Sequence, residues 1–84
     1  MPTTYILLCS DTTLYIGSTT NLERRLVEHN NSKKGAHYTK IRRPVKLLYS
    51  ESYETINEAK KRECEIKKFT RKKKLELIES GLQK

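Results

Sequence analysis

The chain has 84 residues, with 18 lysines and arginines against 10 acidic residues, 35% hydrophobic residues and no tryptophan. This length makes a single domain over residues 1–84, with a modest core resting on Leu, Ile, Val and a few Tyr. No apolar run nears the roughly 18 residues of a membrane span and no signal-peptide pattern is present, so a soluble, cytoplasmic protein without a membrane partner is expected.

Tyr5-Ile6-Leu7-Leu8-Cys9 is a short apolar run that suits a buried strand. Ser10-Asp11-Thr12-Thr13 is turn chemistry, and Leu14-Tyr15-Ile16-Gly17 returns as the second strand of a hairpin. Thr20-Asn21-Leu22-Glu23 has the spacing of a capping box and opens a helix from about Asn21 to Asn30. Residues Ser32 to Pro44 are basic and irregular, with Gly35 and Pro44 as breakers. Val45 to Ser50 alternates as a third strand. Thr55-Ile56-Asn57-Glu58 is a second capping box, for a helix to about Phe69. Thr70 caps a last helix carrying Leu75, Leu77 and Ile78 and stopping at Gly81. The order is β-β-α-β-α-α: an α+β domain with one small sheet flanked by helices. Cys9 and Cys64 match no zinc spacing, and both are expected to be reduced and buried.

The formal charge of +8 is unevenly spread. Lys60, Lys61, Arg62, Lys67, Lys68, Arg71, Lys72, Lys73 and Lys74 crowd into positions 60–74. Lys33, Lys34, Lys40, Arg42, Arg43 and Lys46 form a second cluster with no acidic residue among them. Such clusters attract polyanions, because binding releases the counterions condensed on a phosphate backbone. The plain alternative is a solvated basic surface kept for solubility.

Two helical positions carry candidate chemistry. On the first helix Leu22 and Leu26 face the core, and Arg25 and His29, also four apart, lie one residue round from that line. A tyrosine, a glycine, an arginine and a histidine thus share one strand-turn-helix unit, as on the phosphate-handling side of a nuclease site. A surface ion pair of Arg25 with a glutamate is the ordinary alternative. On the second helix the apolar stripe of Ile56, Ala59 and Ile66 passes through Glu63. A carboxylate there is costly unless it pairs with Lys60 or Lys67, or binds a metal. Glu65, off the stripe, faces solvent.

These residues resemble the GIY-YIG nuclease superfamily, in particular its short single-domain bacterial members, over roughly residues 3 to 78. Tyr15-Ile16-Gly17 stands intact, while Thr3-Thr4-Tyr5 keeps only the tyrosine of the first half-motif. Arg24-Arg25 and His29-Asn30 match the helix motif, and Arg62-Glu63 with Ile66-Lys67 matches the segment of the metal-binding glutamate. Gly35-Ala36-His37-Tyr38-Thr39 and Arg42-Arg43-Pro44-Val45 look like the loop of the short subfamily. The resemblance implies a three-stranded antiparallel sheet and a metal-dependent endonuclease that cleaves DNA, acting on branched or damaged sites. It implies Glu63 as ligand of Mg²⁺ or Mn²⁺, Arg25 on the scissile phosphate, Tyr5 and Tyr15 beside the attacking water, and His29 as a proton-handling neighbour. Gly17, Lys33, Lys34, Lys40, Arg42, Arg43, Lys67, Lys68, Arg71 and Lys72 are the expected nucleic-acid contacts, and the chain is expected to be a monomer.

Either tyrosine could serve as base, since a phenol with an ordinary pKa of about 10 needs nearby positive charge to ionise. Tyr5 and Tyr15 share a sheet face only if the hairpin register sum is even, as a three-residue loop Asp11–Thr13 allows. A binding module of the same fold without catalysis, and a structural domain with an incidental basic surface, are the alternatives.

Overall fold

The computed structural model describes residues 1–31 and 37–82. The elements are β1 (Thr3–Leu8), β2 (Leu14–Thr19), α1 (Leu22–Asn31), α2 (His37–Lys40), β3 (Lys46–Ser52), α3 (Ile56–Lys67) and α4 (Arg71–Leu82). The three strands form one antiparallel sheet in the order β2-β1-β3. This is the expected α+β architecture, with one turn of helix, α2, added inside the basic stretch. Among the described residues no helix is long and apolar enough to cross a membrane.

Alternation along β1 divides the core in two. On one face Ile6 joins Ile16, Ile66 and Ile78 beneath α3 and α4; on the other Tyr5, Leu7 and Cys9 join Val45, with Leu22, Leu26 and Tyr38 packed against them. Ile6, Leu7 and Ile66 have no exposed surface, and each such side chain contributes roughly 1.5–3 kcal/mol. Polar groups lock the layers. Thr4 Oγ1 donates to the Ala59 carbonyl of α3 at 2.6 Å. The Asn30 side chain, at the end of α1, accepts from the Val45 N–H at 2.7 Å and donates to the Val45 carbonyl at 3.1 Å, pairing like a short strand.

Three sequence expectations shift in detail. α1 is capped by Asn21, whose Oδ1 accepts from the Arg24 N–H at 3.1 Å, and not by Thr20. The Thr19 hydroxyl accepts from the Asn21 N–H and holds that entry turn, so the helix begins one residue late. Thr55 and Thr70 cap α3 and α4 as expected, through the N–H groups of Glu58 and Lys73. Cys64 is exposed, and only Cys9 is buried. α4 runs through Gly81 to Leu82, and Gly81 lies under the Tyr49 ring, where a β-carbon would come within 2.7 Å.

The β1–β2 loop is Ser10–Thr12, closed by the Cys9 N–H to the Thr13 carbonyl at 2.9 Å. Thr12 there has φ 67°, a left-handed conformation that costs a non-glycine residue about 1–2 kcal/mol. Asp11 Oδ1, which accepts from the Thr13 N–H and hydroxyl, holds the turn in place. Thr12→Gly relieves that cost and returns about 0.5–1 kcal/mol as chain entropy. The variant should therefore melt higher by a few degrees, on the order of 4 °C. A lower melting temperature would show that residue 12 is not held left-handed.

Candidate active site

In the β1–β2 register Tyr5 lies opposite Gly17 and Leu7 opposite Tyr15. The sum is even, so both phenols stand on the α1 face, with ring centroids 6.4 Å apart. The loop that achieves this has the expected three residues but starts one position earlier. Gly17 is required by the rings and not by a left-handed backbone, which no described glycine adopts. A β-carbon at position 17 would lie 2.5 Å from Tyr5 Oη and 3.1 Å from Tyr15 Cε2.

α1 brings the next two groups onto this face. His29 is fully buried and Tyr5 is 1% exposed. Tyr5 Oη lies 2.8 Å from His29 Nε2, and His29 Nδ1 lies 2.7 Å from Thr39 Oγ1 on α2. The His29 ring packs edge-on to Tyr15 at 5.1 Å, and the ring of Tyr38 closes the cluster 5.9 Å beyond Tyr15. Burial, then the neighbouring Tyr15, pushes the Tyr5 phenol up to about 12, against the hydrogen bond and charge of Arg25. Burial, then the Arg25 charge, pulls His29 down to about 4. Both groups are therefore neutral at pH 7. Arg25 lies near enough for its positive charge to bear on the Tyr5 phenol, and it pairs with Glu28 at 2.9 Å. The ordinary ion pair and the inward influence thus coexist on one guanidinium, whose side chain is 26% exposed.

Ser18 follows Gly17 and so faces the opposite side of the sheet. Its hydroxyl donates to Glu63 Oε1 at 2.5 Å. Glu63 is the carboxylate on the apolar stripe of α3; its side chain is 19% exposed and its Oε2 lies 2.6 Å from Lys67 Nζ. Of the two lysines expected as partners, Lys67 is the one observed. The Glu63 carboxylate raises the Lys67 pKa, and its charge bears on Tyr5 as well. Among the described residues β2 pairs only with β1 and is an edge strand of the sheet.

Among the described residues there is no group of three or more His, Cys, Asp or Glu suited to a metal. Glu63 with the Ser18 hydroxyl is an oxygen donor set. It fits a hard divalent ion whose shell is completed by water and substrate phosphate, and not a closed protein cage.

The expected nucleic-acid contacts separate into two groups. Lys40, Lys67, Lys68, Arg71 and Lys72 are exposed. Arg42 is committed to Asp11 at 2.9 Å and to the Tyr38 ring at 3.9 Å. Arg43 donates to the Glu28 and His29 carbonyls at the end of α1. Lys33 and Lys34, like Gly35 and Ala36, lie outside the described residues. Sequence reasoning misses Ser18, and it quotes Asn30 and Thr39 within motif segments without giving either a role. Strand alternation after Gly17 could have drawn attention to Ser18, but nothing local marks the burial of Thr39 against His29.

The GIY-YIG catalytic domain family matches residues 1–76. The chain belongs to that family. It is 54% identical over 77 residues to a UPF0213 protein of Staphylococcus saprophyticus, covering 92% of this chain and 93% of that one. The solution structure of a UPF0213 protein from Bacillus halodurans aligns with a TM-score of 0.60 at 39% identity, covering 94% of this chain and 84% of that one. A solution structure of a protein from E. faecalis aligns at 0.65 with 45% identity, covering 98% and 86%. The family is a nuclease-type domain acting on nucleic acid, and its members are generally metal-dependent.

The buried histidine makes the fold acid-sensitive. An unfolded histidine protonates near 6.5, whereas folded His29 does so only near 4. Between these values the unfolded state binds more protons, so stability falls as pH falls. The urea midpoint should drop between pH 7 and pH 4.5, and His29→Leu should flatten that slope. Equal slopes would mean that His29 is not held neutral.

Proposed function

We propose that this chain is a metal-dependent endonuclease that hydrolyses phosphodiester bonds in DNA at branched or damaged sites, as a cytoplasmic monomer. The observation that supports the reading is that the charges of the Arg25 guanidinium and the Glu63 carboxylate both bear on Tyr5, whose ring lies 6.4 Å from that of Tyr15. Hydrolysis of a phosphodiester needs negative charge on phosphorus offset, a water placed in line and the leaving oxygen neutralised. Arg25 meets the first need through its planar fork, exchanging Glu28 for a phosphate oxygen. A divalent ion, Mg²⁺ or Mn²⁺, held by Glu63 would supply Lewis-acid charge at the same phosphate.

The two tyrosines divide the remaining work. Burial holds the Tyr5 phenol up at about 12 and His29 down at about 4, so both are neutral at pH 7. Tyr5 therefore stays a phenol and steadies Arg25, while half-buried Tyr15 is the phenol that meets the attacking water. Lys40, Lys67, Lys68, Arg71 and Lys72 supply the electrostatic track for the backbone, each phosphate neutralised adding roughly 0.9 to the salt slope on duplex DNA.

One observation favours a second reading, a nucleic-acid-binding module without turnover. Lys67 already fills the cation position at Glu63 Oε2. Incubation with plasmid, single-stranded and branched DNA in Mg²⁺ or Mn²⁺ separates the two. Cleavage should fall by roughly a hundredfold or more in Glu63→Gln, while salt-dependent binding persists. Equal behaviour of wild type and Glu63→Gln would leave the binding module.

A further inference from the structure

Thr39 sits on a one-turn helix in the basic stretch, yet it is fully buried, with its hydroxyl 2.7 Å from His29 Nδ1. The donors and acceptors of the chain it joins can be assigned one by one. The Arg25 guanidinium is near enough for its positive charge to bear on Tyr5, and a positive charge turns the phenol oxygen toward itself and the phenol proton away. The Tyr5 O–H must then point away from Arg25. Among the described residues its partner is His29 Nε2, at 2.8 Å. A neutral imidazole carries one N–H, and with Nε2 accepting, that proton is on Nδ1. Nδ1–H needs an acceptor, and Thr39 Oγ1 is there at 2.7 Å.

We propose that Thr39 is a positioning residue that sets the direction of this buried hydrogen-bond chain and thereby aims Arg25 at the substrate phosphate. Without an acceptor at Nδ1 the ring shifts to the Nε2–H form, which donates to Tyr5 Oη. The phenol proton is then driven toward Arg25, two donors face each other, and the guanidinium leaves its place. One threonine hydroxyl on α2 thus controls a charge on α1 through two neutral side chains. The phosphate part of this inference rests on the nuclease reading; the direction of the chain does not.

The test joins a spectroscopic readout to turnover. Nitrogen-15 spectra of the His29 ring should show the proton on Nδ1 in the wild type. In Thr39→Val, which keeps the shape and removes the acceptor, the Nε2–H form should appear, and kcat should fall roughly tenfold. Thr39→Ser should restore both. An Nε2–H ring in the wild type overturns the proposal, and so does a Thr39→Val protein with an Nδ1–H ring and wild-type turnover. If Thr39→Val fails to fold, the wild-type and Thr39→Ser spectra decide the direction of the chain. Absence of cleavage by the wild type would count against the nuclease reading, while the ring spectra still decide the lock.

Discussion

Tyr5 and His29 meet inside the core through a 2.8 Å hydrogen bond, with almost no exposure on either side. Burying two such groups is costly unless each is satisfied; here they satisfy each other and Thr39 partners the far nitrogen of His29. No described buried side-chain nitrogen or oxygen lacks a partner. That requirement ties β1, α1 and α2 into one arrangement. It also explains why position 17 is glycine, since the phenol that reaches His29 lies where a β-carbon would be. A polar network that is fully satisfied specifies its geometry more sharply than apolar packing does.

The same network determines where charge appears on the surface. Arg25 lies near a neutral phenol and is held from the side by Glu28, so a guanidinium stands at the rim of an otherwise aromatic cluster. Glu63 lies on the opposite face of the sheet, where the Ser18 hydroxyl of β2 donates to it. Neither side could deliver both charges, because α1 and α3 pack on different faces. The lysines of α3 and the start of α4 extend the positive field along the surface.

Much of this was legible from the chain alone, for physical reasons. Apolar runs of period 2 and capping threonines at 55 and 70 fall where the strands and helices are. The position of Glu63 on an apolar stripe marked it before any contact was known. Register parity linked Tyr5 to Tyr15. What escaped depended on long-range packing. Thr20 and Asn21 both have capping chemistry, and the choice between them is made by the Thr19 hydroxyl. Thr39 carries no periodic signal, and its contact with His29 exists only once α2 folds against α1. The burial of His29 was likewise hidden, since its helical position suggested only the edge of the core. Arg42 and Arg43 read as phosphate contacts by charge, but the turn at Asp11 and the end of α1 take their guanidiniums.

The central claim is that Tyr5 and His29 act as one buried unit, and a double-mutant cycle tests it directly. Urea unfolding of wild type, Tyr5→Phe, His29→Leu and the double variant at pH 7 gives the coupling between the two side chains. The structure predicts a coupling of about 1 kcal/mol or more, because either single change leaves a buried polar partner unsatisfied. Strict additivity of the two substitutions would contradict it.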